Sequence, residues 1–151
     1  MNYGEKLFQL RNRYGKTNID MANILKISDS LYSRYEKEEQ PIPIKHLNTL
    51  CNYFHVSLDY IFNLNNVKLY KDEHQEINYK LQQLRLKELR KKHNLTQEKL
   101  AKIINVASST ISDYKIFEKP IATPFLYDIC KKYNISADYL LGKTDRPKYL
   151  N

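Results

Sequence analysis

Shifting the chain by 79 positions lays it over itself without a gap from about Leu7 to Leu64. Identical pairs include Leu7/Leu86, Leu10/Leu89, Arg11/Arg90, Thr17/Thr96, Ala22/Ala101, Ile24/Ile103, Ser30/Ser109, Ser33/Ser112 and Tyr35/Tyr114. They continue through Pro41/Pro120, Ile42/Ile121, Leu47/Leu126, Cys51/Cys130, Ser57/Ser136, Asp59/Asp138 and Tyr60/Tyr139. A gapless repeat of this length means that one folding unit occurs twice, each copy with its own core. The expected organisation is a first domain over residues 1–64, a linker over 65–80 that turns helical toward its end, a second domain over 81–147, and a tail, 148–151.

The repeated unit is patterned for helices. In Leu95–Tyr114, Thr96 stands where its hydroxyl can cap a helix, and Glu98 follows near the positive end of the dipole. Leu100, Ala101, Ile103 and Ile104 fall on one side of a short helix. Asn105 suits a left-handed turn, Val106 plugs the corner, and a second helix starts near Ala107–Ser108 with Ile111 and Tyr114 facing inward. Its other face is short and polar. Two short helices at a steep angle describe a helix-turn-helix. In the first copy the same reading gives helices near Gly4–Tyr14, Asn18–Leu25, Asp29–Glu36, Ile44–Phe54 and Leu58–Phe62, with Leu7, Leu10 and Tyr14 at helical spacing in the first. Thr17, Ser28 and Ser57 are their caps, Lys26 sits at the left-handed turn, and Cys51 and Cys130 read as small buried hydrophobes.

Leu89-Arg90, Leu95-Thr96-Gln97, Leu100-Ala101, Val106, Ser109-Thr110-Ile111-Ser112 and Pro120 resemble the Cro/lambda-repressor-like (XRE) family of DNA-binding domains. Ile129, Tyr133-Asn134-Ile135-Ser136 and Asp138-Tyr139-Leu140-Leu141 match its closing helices. The resemblance implies an all-α chain of two tandem five-helix lambda-repressor-like domains joined by a partly helical linker. It also implies a sequence-specific transcriptional regulator, a repressor of the kind phages and mobile elements encode, whose third helix enters the major groove of double-stranded DNA.

Carried over residue by residue, the DNA-facing positions of the first copy are Asn18, Asp29, Ser30, Ser33, Arg34 and Lys37. Those of the second are Gln97, Ser108, Ser109, Thr110, Ser112, Asp113, Lys115 and Lys119. Arg34 is the best base reader, because its fork matches guanine O6 and N7. Arg11 and Glu36 match a family ion pair between the first helix and the end of the recognition helix. In the second copy Lys115 faces Arg90, so that Asp113 or Glu118 takes over the pairing or Lys115 turns toward phosphate.

Net charge is +8, and it is unevenly held: residues 1–64 carry eight Lys/Arg against seven Asp/Glu, residues 80–151 fifteen against seven. A basic second half favours a polyanion. Lys87, Lys91, Lys92, Lys99, Lys102, Lys115, Lys119, Lys131, Lys132, Lys143, Arg146 and Lys148 make up the field. No apolar run could span a bilayer, and the N-terminus lacks the apolar core of a signal peptide, so a cytoplasmic protein without membrane contact is expected. Two separated cysteines and four scattered histidines give no metal-ligand spacing. Neither paired carboxylates, a nucleophile–base set nor a phosphate loop is evident, so neither an enzyme nor a cofactor is expected.

Tyr70, Ile77, Leu81 and Leu84 repeat at seven and four, and one helix from about Asp72 to His93 is expected. Its stripe either packs on the chain itself or forms the seam of a homodimer. The alternative to a regulator is a protein-interaction module on the same fold. Such a module would be an antitoxin-like or inhibitor protein with a protein or nucleoprotein partner, as the acidic Asp29 and Asp113 suggest.

Overall fold

The computed structural model describes residues 2–103 and 121–151. It forms two compact units, Met1–Lys71 and Asp72–Asn151. Unit one holds α1 (Tyr3–Arg13), α2 (Asn18–Leu25), α3 (Asp29–Glu36), α4 (Ile44–Phe54) and α5 (Leu58–Ile61). Unit two holds α6 (Tyr79–Lys92), α7 (Gln97–Ile103), α8 (Thr123–Tyr133) and α9 (Ala137–Leu140). The helix expected near Ser108–Tyr114 lies outside the described residues. Among the described residues no segment is a strand, and one isolated antiparallel bridge joins Ile135 to Tyr149.

Local chemistry starts these helices where the caps stand. The Thr17 hydroxyl accepts from the Asp20 amide at 3.1 Å while the Asp20 carboxylate accepts from the Thr17 amide at 2.8 Å, a reciprocal capping box. Ser28 accepts from Leu31 at 3.2 Å, Ser57 from Tyr60 at 2.9 Å, Thr96 from Lys99 at 3.0 Å and Ser136 from Tyr139 at 3.1 Å. Leu7, Leu10, Met21, Tyr32, Leu47, Leu50 and Ile61 close the core of unit one. Leu86, Leu89, Leu100, Leu126, Ile129 and Leu140 close that of unit two. Cys51 and Cys130 are fully buried thiols outside any disulfide, at equivalent places on α4 and α8.

The repeat holds at the level of single bonds. Left-handed backbone recurs at equivalent positions: Gly15 and Asn94, His55 and Asn134, Asn63 and Gly142. The Ile42 amide donates to the Tyr3 phenol at 3.3 Å, and the equivalent Ile121 amide donates to the Gln82 side-chain oxygen at 3.2 Å. Lys6 lies 4.4 Å over the Tyr60 ring, and Arg85 lies 3.9 Å over that of Tyr139. Ser57 N–H reaches back to the Lys68 carbonyl, and Ser136 N–H to that of Lys148. Each unit therefore ends in a segment folded onto the junction before its last helix, and residues 148–151 form that segment in unit two. The Leu150 amide adds a 2.9 Å bond to the Asn134 carbonyl.

Three expectations are corrected. The helix does not begin near Asp72 but at Tyr79, with the Asn78 side chain accepting from the Leu81 amide at 3.1 Å. The preceding amides are spent elsewhere: His74 N–H on the Lys143 carbonyl at 2.7 Å and Asn78 N–H on that of Leu141 at 2.9 Å. Gly142 permits this approach, since a Cβ there would lie 2.7 Å from the Asn78 Cβ. Nor does Tyr70 belong to a stripe with Ile77 and Leu81. It is buried in unit one, where its hydroxyl donates to the buried Asp59 carboxylate at 2.5 Å and accepts from Asn65 at 2.8 Å. Tyr14, expected as the last residue of the first helix, follows the end of α1 and is 54% exposed, its ring tilted against Phe54.

Gly4 lets α1 start against the end of α3, because a Cβ at this position would sit 2.0 Å from the Glu36 carbonyl oxygen. Gly4→Ala is expected to destabilise unit one by about 1–3 kcal/mol, the usual scale of overpacking. Tyr3→Phe removes the acceptor of a buried amide and is expected to cost about 1–3 kcal/mol. Hydrogen exchange at the amides of α1 and α3 in the full chain checks both. Protection unchanged in either variant would contradict this packing.

Candidate nucleic-acid interface

The turn between α2 and α3 sets the interface. Lys26 ends α2 in the left-handed region, at φ 57° and ψ 46°, and the Ile27 amide closes on the Ala22 carbonyl at 3.0 Å. Helix α3 then buries Tyr32 and Tyr35 and exposes Asp29, Ser30, Arg34 and Lys37, with Ser33 half-buried. Its first turn is locally engaged. The Asp29 carboxylate accepts from the Ser30 amide at 3.0 Å, and the Ser28 and Ser30 hydroxyls lie 3.3 Å apart.

The far end of α3 is clamped to α1. Arg11 Nη2 and Nε donate to the Glu36 carboxylate at 2.8 and 3.0 Å, and Arg11 Nη1 donates to the Lys16 carbonyl at 3.2 Å. The two side chains are 13% and 8% exposed, so the pair is shielded from water. Hydrogen bonding to Glu36 pushes the Arg11 guanidinium above its ordinary pKa against the opposing effect of burial. The family ion pair expected from the sequence is thus present in unit one.

A surface depression of about 470 Å³ between α1 and α3 is lined by Phe8, Arg11, Asn18, Ser33 and Lys37 among others. The structure therefore brings Asn18, Ser33 and Lys37 to one groove. Asn18 opens α2 half-buried, with its side-chain oxygen buried and unpartnered. Gln97 opens α7 at the equivalent place, also half-buried. Ser108, Ser109, Thr110, Ser112, Asp113, Lys115 and Lys119 lie outside the described residues, and with them the pairing of Arg90.

Two apolar side chains that carry no motif are exposed in unit one: Phe8, which lines this groove, is 48% exposed, and Ile19, next to Asn18 in sequence, is 58% exposed. The repeat carried the signal of this exposure, since unit two has Lys87 and Glu98 at those places. In unit two, Lys87, Lys91, Lys92, Lys99, Lys102, Lys131, Lys132 and Arg146 are exposed. Lys143 is not part of that field: it is 1% exposed, at the close of α9 where the first copy has Leu64 and where its amide turns back onto the Asp138 carbonyl. Among the described residues no group of three His, Cys, Asp or Glu side chains could hold a metal ion, and no helix is long and apolar enough to cross a membrane.

Two bundles with a capped, clamped and outward-facing third helix in the first define a tandem helix-turn-helix protein. Comparison with known families agrees. A family described as "Helix-turn-helix domain" matches residues 4–67, and one described as "Helix-turn-helix" matches residues 86–140. Together they cover most of the chain, which belongs to the helix-turn-helix proteins of the Cro/lambda-repressor-like (XRE) type.

Among curated proteins, an uncharacterized HTH-type transcriptional regulator of Bacillus subtilis, YobD, is 41% identical over 63 residues, covering 42% of this chain and 56% of that protein. The HTH-type transcriptional regulator ImmR of Bacillus subtilis is 38% identical over 64 residues, 42% of this chain and 50% of that protein. The antitoxin PezA of Streptococcus pneumoniae is 33% identical over 58 residues, 38% of this chain and 37% of that protein. The chain spans about half the length of the first two relatives. No solved structure matches it significantly.

Lys26 holds a conformation that costs a non-glycine residue on the order of 1 kcal/mol. Lys26→Gly is therefore expected to raise the thermal midpoint of unit one and stabilise it by up to about 1 kcal/mol. A lowered midpoint would mean that the lysine side chain contributes more than its backbone strain costs.

Proposed function

We propose that this protein is a DNA-binding transcriptional regulator without catalytic activity, acting in the cytoplasm on double-stranded DNA. The observation that carries the reading is the solvent-facing row Asp29, Ser30, Arg34 and Lys37 on a helix held at both ends, by the Lys26 turn and by the Arg11–Glu36 pair. Similarity to proteins named HTH-type transcriptional regulators supports it.

Such a helix, laid in the major groove, presents one long cation and several short polar groups to base edges. Arg34 reads guanine, Ser30 and Ser33 leave neighbouring pairs weakly specified, and Lys37 reaches phosphate. Asn18 and Gln97, at the first positions of α2 and α7, make backbone contacts in this reading. By the repeat, Ser108, Ser109, Thr110, Ser112, Asp113, Lys115 and Lys119 take the corresponding roles in unit two.

The two faces are chemically unequal, Asp29 to Arg34 against Ser108 to Asp113, so one chain would not read a symmetric operator symmetrically. A homodimer in which equivalent units meet half-sites about 34 Å apart resolves this. Light scattering of the free protein and of its DNA complex checks the assembly, and a monomer in both would overturn it.

A protein partner for unit one is the second reading. It rests on the exposed Phe8, Tyr14 and Ile19, which replace the Lys87, His93 and Glu98 of unit two.

Arg34→Ala is expected to relax preference at one base position, at a cost of roughly 1–3 kcal/mol there. Selection of bound sequences from random DNA, followed by base-by-base competition, reads this out. A uniform loss across all sequences would place Arg34 on phosphate instead.

A further inference from the structure

One end of unit two gathers lysines and tyrosines from three separate stretches of chain. The His93 ring stacks on that of Tyr133 at 4.4 Å, which brings the last turns of α6 and α8 together with the exposed Lys91, Lys92, Lys131 and Lys132. The closing segment joins them. Lys92 Nζ donates to the Tyr149 hydroxyl and lies 4.3 Å from its ring, and Lys148 lies 5.6 Å from the same ring. Lys131 sits 5.7 Å from the ring of Tyr127. The bond from Lys92 holds the Tyr149 phenol below its ordinary pKa, the response of a phenol to an adjacent cation. Among the described residues, none of these lysines is in an ion pair with a carboxylate.

The repeat supplies an internal control. The same end of unit one is built from the Tyr14–Phe54 contact at 5.3 Å, so the packing is equivalent. Yet Asn12, Asn52 and Tyr53 stand where unit two has Lys91, Lys131 and Lys132. The packing does not require these three charges, while Arg13 keeps a cation at the place of Lys92. In unit one the last residue of α3 meets Gly4, at the opposite end of α1 from Tyr14, although the Arg11 side chain that clamps it rises from the last turn of α1.

Four exposed lysines and the half-buried Lys148, three of the five lying over tyrosine rings, complement a polyanion. The rings lie under ammonium groups and so orient cations, whereas a single-strand site would leave them open for stacking bases.

We propose that this lysine–tyrosine end of unit two is a second, sequence-independent contact for the phosphate backbone of duplex DNA, separate from the helix-turn-helix. It rests on the DNA-binding reading above. It would hold DNA flanking the bases being read, and it accounts for the charge falling in unit two.

The test is binding of the full-length protein to random-sequence duplexes of about 20 and about 45 base pairs across a salt series, where each phosphate contact contributes about 0.9 to the slope. The wild type is expected to show a steeper slope on the longer duplex. Lys91→Gln, Lys131→Gln and Lys132→Gln combined should remove that excess, flattening the slope by up to about 2.7, with the preference for a selected sequence over random DNA unchanged. Glutamine keeps helix propensity, and circular dichroism checks the fold. Glu88→Gln with Asp128→Asn, which removes exposed acids one turn before these lysines, should strengthen binding instead. If the wild type binds no duplex at all, the DNA-binding reading itself falls. If it binds selectively while both variants keep its slope on the longer duplex, the lysine–tyrosine end is a solvated surface and the inference is overturned.

Discussion

The bidentate bond between Arg11 and Glu36 is the interaction on which the first unit's recognition surface depends. Helix α3 is only eight residues long, too short to hold a direction by itself. Its N-terminal end is set by the Ser28 cap and the Lys26 turn, its C-terminal end by this one pair. Both side chains are largely buried, so each is desolvated and each relies on the other. Removing one partner of such a pair costs about 3–5 kcal/mol, far more than the pair's net worth against an apolar replacement. That asymmetry makes it a positioning device more than a source of stability. Gly4 belongs to the same device, since its missing side chain is what lets the first turn of α1 meet the Glu36 carbonyl.

What the sequence revealed and what it hid divide by range. Thr17, Ser28, Ser57 and Thr96 were legible as caps because each acts on an amide three residues away. Cys51, Cys130 and the Lys26 turn were legible through the repeat. The stretch from Asp72 to Asn78 was misread for the opposite reason. Its composition suits a helix, but its amides pair with carbonyls near Leu141 and Lys143, some sixty residues on. Tyr70 was assigned to the wrong element because its partner, the buried Asp59, cannot be seen in a spacing pattern. The burial of Lys143 contradicts what residue type alone suggests, and only its repeat partner Leu64 pointed that way. Of the candidate site, the exposure of Asp29, Ser30, Arg34 and Lys37 follows from the helix pattern, while nothing in the local spacing marks Phe8 and Ile19 as exposed.

The two halves show how far side chains diverge while the geometry stays fixed. A phenol in one copy and an amide in the other accept from the same isoleucine N–H. Lysine in one and arginine in the other cover the same tyrosine. Arg85 does more than Lys6: its guanidinium also donates to the Thr144 carbonyl at 2.7 Å and to the Asp145 carboxylate at 2.6 Å, tying α6 to the segment after α9. A point charge lacks the fork to bridge several acceptors in that way. Backbone groups that need partners are thus the invariant of the fold, and the residues that satisfy them are not.

That freedom leaves surface chemistry to diverge independently. The core and caps of unit one and unit two make comparable demands, yet the net charge falls almost wholly in the second. Base reading needs few, well-placed groups, and in the proposed function Arg34 with short serines on a clamped helix meets that need without a strong field. Retention on DNA needs many cations and little geometry, and the proposed lysine–tyrosine contact would supply them. A chain with both kinds of surface on two copies of one fold can change its affinity without changing which bases it reads.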